Sequence, residues 1–147
     1  MAHTDLLRLQ HDAASQMMVG ITGQIRAYRG RDDAYRLTLG IAQLIGLLRV
    51  HLTREDDHLY PQMINSGDRQ TAAMARRFAS EMGDFAERLE EFALHWSTSA
   101  VIAACFDEFR DETRDIFAAL DVRIRRENQQ LYPLADRLTA PPTRSAA

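Results

Sequence analysis

Residues 78–92 read FASEMGDFAERLEEF, and Phe78, Met82, Phe85, Leu89 and Phe92 recur three or four positions apart. That spacing puts the apolar side chains on one face of a helix and the charged ones on the other. Breakers bound the stretch, Ser66-Gly67-Asp68 before it and Ser97-Thr98-Ser99 after it. Two more sets stand further out, at Arg29-Gly30-Arg31-Asp32 and Ala140-Pro141-Pro142. Everything between them carries the same period. The first segment gives Leu7, Ala14, Met18, Ile21, Ile25 and Tyr28, with His11 at the missing step. The second gives Leu37, Ile41, Leu44 and Leu48, then His51 and Glu55 in step. The fourth gives Phe109, Thr113, Ile116 and Leu120 before Arg123 and Glu127. Four amphipathic helices joined by short loops predict an all-α fold, an up-down-up-down antiparallel four-helix bundle over residues 1–138. The tail 139–147, TAPPTRSAA, has no apolar period and is expected to be disordered.

A chain of 147 residues with 46% hydrophobic content is enough for one core. Its net charge of -3 comes from 18 basic and 21 acidic residues spread along the length, so no basic stripe suits a phosphate backbone and nucleic acid is excluded as a partner. No apolar run is long enough for a membrane span and no signal-peptide core is present, which predicts a soluble, cytoplasmic protein. The single cysteine, Cys105, lies in the apolar stretch AVIAACF and is expected to be a buried, inert thiol.

The polar residues on the apolar stripes share one level. His11 and His51 are equidistant from a turn near residue 31, so an antiparallel hairpin makes them neighbours. Reflection through the turns near Gly67 and Thr98 to Ile102 brings Glu55, Met82 and Arg123 to the same height, and Glu127 follows Arg123 as Glu55 follows His51. Breaking a buried ion pair costs about 3–5 kcal/mol, so such a layer needs a compensating partner. Two solutions follow. Imidazole and carboxylate on facing helices can bind iron, zinc or manganese. Alternatively the layer is a metal-free network in which Arg123 pairs with Glu55 and Glu127.

His11 followed by Asp12, the His51-x-x-x-Glu55 pair and the closing Leu59-Tyr60-Pro61 resemble the hemerythrin family, specifically the bacterial hemerythrin-like HHE cation-binding domains, over about residues 5 to 137. The resemblance implies a four-helix bundle with an internal two-fold repeat. It also implies a di-iron centre, bridged by Glu55 and Glu127, that binds dioxygen or a related small ligand. Residues 123–133, RIRRENQQLYP, repeat HLTREDDHLYP at 51–61 but keep only Glu127 and Leu131-Tyr132-Pro133 of the pattern. Met82 stands where the second lone histidine belongs, and Arg123 where the second paired one does. A thioether suits ferric iron poorly and a guanidinium has no lone pair to donate. The expected centre is therefore incomplete: His11, His51, Glu55 and Glu127 hold at most one metal, iron or zinc, and Arg123 fills the vacated iron position, bridging the two glutamates.

His58, one heptad after His51, is either a support for the ligands or an exposed helix-end residue. Tyr60 and Tyr132 are expected to cap the bundle end with their rings, beside the ligands. His95 and Trp96 are expected to pack near the other end, and His3 belongs to the N-terminus. No nucleophile with its base and orienting group is visible, so catalysis is not assigned. The expected function is a non-catalytic binding or sensory protein with an incomplete di-iron centre and a small diatomic ligand. The alternative is a metal-free regulatory or interaction bundle. A protein partner or a homodimer, through Val101, Ile102 and Phe106, is the macromolecular association left open.

Overall fold

The computed structural model describes residues 4–139. The expected disordered tail, apart from Thr139, and His3 lie outside the described residues. Helix α1 spans Asp5–Arg26 and α2 spans Arg31–Arg54; a π-helical turn, Glu55–Leu59, leads from α2 into α3, Tyr60–Ile64. Helix α4 spans Arg69–His95 and α5 Ser99–Ala104; α6 spans Phe106–Arg126 and passes through a second π-helical turn, Glu127–Leu131, into α7, Tyr132–Thr139. The four long rods form the predicted bundle. Among the described residues no helix is long and apolar enough to cross a membrane.

Local chemistry sets the connections. Gly67 takes the left-handed backbone, φ 85°, that the turn after α3 requires. Asp68 then caps α4, its carboxylate accepting from the Thr71 N–H at 3.0 Å, and Thr98 caps α5 by accepting from the Val101 N–H at 3.3 Å. The fourth rod does not start directly at Ser99 as the breakers suggest. A break at Cys105 separates α5 from α6, because Ile102 turns into the core while Phe106 stacks on Tyr28 with ring centroids 3.7 Å apart. The apolar surface expected at Val101, Ile102 and Phe106 is thus largely absorbed, and Cys105 is half-buried rather than buried. At the same end Trp96 is buried edge-on to Phe109, 5.3 Å between centroids, with the exposed His95 edge-on beside it.

Pro61 and Pro133 neither end nor visibly interrupt their rods. Each follows a π-helical turn that begins at the repeated glutamate and ends at the repeated leucine. The Tyr60 N–H reaches back to the Glu55 carbonyl, and the Tyr132 N–H to that of Glu127. Widening the turn by one residue absorbs an insertion, so a tyrosine five positions after its glutamate falls on the same helix face. His51, Glu55 and Tyr60 therefore line one stripe, as do Arg123, Glu127 and Tyr132.

The core divides at the level of those stripes. The larger cluster holds Ala14, Leu48, Phe85 and Ile124 at its near edge and Trp96 and Phe109 at its far end. The smaller cluster holds Leu7, Leu59, Phe78 and Leu131. His11, His51, Glu55 and Glu127, all buried, lie between the two in sequence on every rod that supplies them. Apolar burial on both sides clamps the polar layer. Phe109 has no exposed surface, so Phe109→Ala should cost about 3–5 kcal/mol, read as a lower denaturant midpoint at unchanged m-value.

Candidate metal centre

Each histidine of the layer is held through its outer ring nitrogen. The Nδ1 of His11 lies 2.8 Å from the Asn128 side-chain oxygen, and the Nδ1 of His51 lies 2.9 Å from that of Gln10. An amide oxygen only accepts, so each ring carries a proton on Nδ1 and turns its Nε2 inward. The two Nε2 atoms are 3.1 Å apart. Two ring nitrogens at that separation need a proton or a cation between them.

Oxygen donors close in on the same point. His51 Nε2 lies 3.0 Å from Glu55 Oε1, and His11 Nε2 lies 3.4 Å from Glu127 Oε1. The Tyr132 hydroxyl is 3.2 Å from His11 Nε2, 3.3 Å from His51 Nε2 and 3.2 Å from Glu55 Oε2. One hydroxyl proton cannot satisfy three acceptors. Glu55 Oε1 and both oxygens of Glu127 are buried without a hydrogen-bond partner, an arrangement that costs roughly 1–3 kcal/mol per atom, more for a charged one. One donor atom each from His11, His51 and Glu127 fits within a 4.8 Å cluster. Donors at right angles around a metal with bonds of about 2.1 Å stand about 3 Å apart, and these contacts cluster near that value. The donor set therefore fits a divalent or trivalent transition metal.

Charge states agree with that geometry. Burial and the neighbouring His51 ring lower His11 to about 4, so its lone pair is free at neutral pH. Burial and the Glu55 charge push Glu127 well above the usual carboxylate range. Burial opposes ionisation of Glu55 as well, but the His51 and Glu127 groups beside it hold it below that range. Of the two carboxylates, Glu127 is therefore the one that holds a proton more tightly. Burial, then the two carboxylates, push the Tyr132 phenol upward.

Supports come from α1. The Arg8 guanidinium donates to the Asn128 carbonyl at 3.2 Å, lies 5.3 Å from the centre of the Tyr132 ring and pairs with Asp136 at 3.4 Å. The Thr4 hydroxyl donates to the same Asp136 carboxylate at 2.9 Å. These contacts tie the start of α1 to the second π-helical turn and α7, so Asn128 and Tyr132 are fixed relative to His11.

Three sequence expectations need correction. Arg123 does not bridge the glutamates: its guanidinium lies over the Phe85 ring, 4.7 Å from the centroid, and among the described residues it forms no ion pair with Glu55 or Glu127. The aromatic face lets the cation stay half in water, whereas threading it between the helices would desolvate it. Arg123 therefore reaches Glu127 only through its charge at a distance, not through a direct pair. Arg123 and Met82 do share one small cavity beside Glu127, about 10 Å³, walled also by Phe78 and Arg126. His58 is exposed, because the extra residue of the π-helical turn shifts the heptad and brings Leu59 inward in its place. Tyr132 stands at ligand distance rather than as a cap, while Tyr60 is buried with its hydroxyl unpartnered. Asn128 and Gln10 were not legible as partners, since neither polar residue breaks an apolar stripe.

The family model of the hemerythrin HHE cation-binding domain matches residues 2–135. The chain belongs to that family. No curated protein and no solved structure matches it. Family membership implies metal binding, and the His11, His51 and Glu127 cluster could hold one ion.

In this hemerythrin-family chain Glu127 sets the cost of the metal-free state. Its folded pKa is raised, so the stability that it contributes is present below the unfolded value of 4.5 and is lost as pH rises. Glu127→Gln should therefore stabilise the metal-free protein at pH 7 by about 1–3 kcal/mol. The gain should vanish as pH falls toward 4.5, in chemical denaturation followed across that range.

Proposed function

We propose that the chain is a non-catalytic binding or sensory protein built on one metal ion, iron by preference and zinc as the other candidate. His11, His51, Glu55 and Glu127 hold the ion, and the Tyr132 hydroxyl supplies a further oxygen donor from the second π-helical turn. The observation that carries this reading is the pair of opposed Nε2 atoms, each ring oriented by an amide oxygen on Nδ1. Histidine ligands held through their outer nitrogen are the usual mark of a metal site. The second metal position has lost its nitrogen donors to Met82 and Arg123, which supports a mononuclear rather than a di-iron centre.

A bound iron supplies Lewis acidity and a position for a small ligand. The protein supplies enclosure. All five donor residues are buried, and the cavity of about 10 Å³ beside Glu127 is of the size that holds one water molecule. A diatomic molecule fits that scale and an organic substrate does not, which favours sensing or binding over catalysis. Arg123 and Arg126, lying over Phe85 and Phe78, give the cavity a positive rim.

Ferric iron added to the metal-free protein should load to one ion per chain and give a visible phenolate-to-iron charge-transfer band, the phenol proton passing to buffer. Tyr132→Phe should keep the iron and lose the band, and His11→Ala should lose both. Two ions per chain in the unmodified protein, or a band unchanged in Tyr132→Phe, would overturn the reading. Loading should weaken as pH falls, because protons compete for Glu127, and titration calorimetry in buffers of different ionisation enthalpy should register proton release.

A further inference from the structure

A second site lies at the opposite end of the bundle. Between the C-terminal half of α1 and the N-terminal half of α6 the rods part around a half-open cavity of about 560 Å³. From His11 to Ile25 along α1 is about 20 Å at the helical rise per residue, so this cavity is separate from the metal centre. Its volume falls in the range of small-molecule sites, roughly 300–1,000 Å³.

The lining has two chemistries. Ile25, Tyr28, Phe106 and Phe117 give an apolar floor and one wall, the Tyr28 and Phe106 rings stacked nearly parallel, 6° between planes. Arg26, Arg110 and Arg114 line the cavity as well, and no acidic residue does. Arg110 is occupied by Asp107 at 3.2 Å and Asp111 at 3.1 Å. Arg114 reaches Asp111 only at 3.5 Å, and Arg26 forms no ion pair among the described residues. Two guanidinium groups are thus weakly held or unpaired over an apolar bed.

Thr113 borders the cavity from the core side: it interrupts the apolar stripe of α6, is 1% exposed, and its hydroxyl is buried away from solvent.

We propose that this cavity binds a monocarboxylate with an aliphatic or aromatic body, the carboxylate paired with Arg26 and Arg114, the body lying against Phe106 and Phe117. Guanidinium groups bind carboxylates in two-point contacts, and the apolar floor contributes in proportion to the area covered. The charge of the lining selects an anion. The stacked rings set the width of the slot.

The test is amide-resolved NMR of the full chain titrated with decanoate below its micelle concentration, with decanol and acetate as probes of body and charge alone. Decanoate should shift amides of residues 22–28 and 106–117 and bind at least about tenfold more tightly than either control. Arg26 and Arg114 are exposed, so the double variant Arg26→Gln/Arg114→Gln should fold normally. It should bind decanoate about tenfold more weakly, with decanol unaffected. The proposal is overturned if decanoate and decanol bind equally, if the double variant binds decanoate like the parent, if the shifts fall elsewhere, or if a second copy of the chain fills the groove.

Discussion

Two imidazole Nε2 atoms facing each other across 3.1 Å in the middle of a bundle are the constraint on which the rest of this molecule depends. They cannot be left as they are. Carboxylates from Glu55 and Glu127 and the Tyr132 hydroxyl add electron pairs to the same small volume, and the protons at hand are too few to satisfy them. Burial favours the protonated form of Glu127 over a charge that it would penalise. A metal ion bound here would resolve every one of these conflicts at once, and donors held ready for one cost stability in its absence, a common exchange at binding sites.

The bundle can hold such a layer because of how it is framed. Apolar clusters above and below exclude water and fix the rods, and the repeated π-helical turns place the final donors. A straight α-helix would turn Tyr132 away from Glu127's face; one extra residue per turn brings it back. The same repeat at Glu55 puts Tyr60 in the matching place. The two halves differ in their nitrogen donors, Met82 and Arg123 standing where the repeat has His11 and His51. Arg123 leaves the centre for the face of Phe85, where its charge is stacked and partly hydrated.

Much of this was legible in the chain. The spacing of Phe78, Met82, Phe85, Leu89 and Phe92 and its counterparts gave four rods, and reflection through the turns gave the common height of His11, His51, Glu55 and Glu127. Those signals survive because side-chain period and antiparallel height follow from backbone geometry alone. The π-helical turns were not legible, although Leu-Tyr-Pro after each glutamate marks them in retrospect. An inserted residue shifts all later register, which is why Tyr132 was left too far from the donors, while the exposed helix-end reading of His58 is the one the structure shows. Arg123 misled for a different reason: opposite charge suggested a partner, while desolvation decided against one. Asn128 and Gln10 act through single hydrogen bonds that no periodicity reports.

Mononuclear binding at this layer is the central claim, and anomalous scattering from crystals of the iron-loaded chain at the iron edge tests it most directly. The account predicts one peak per chain, within bonding distance of His11 Nε2 and His51 Nε2 and of the Tyr132 hydroxyl. A second peak on the Met82 and Arg123 side, or a single peak bound away from the two Nε2 atoms, would contradict it.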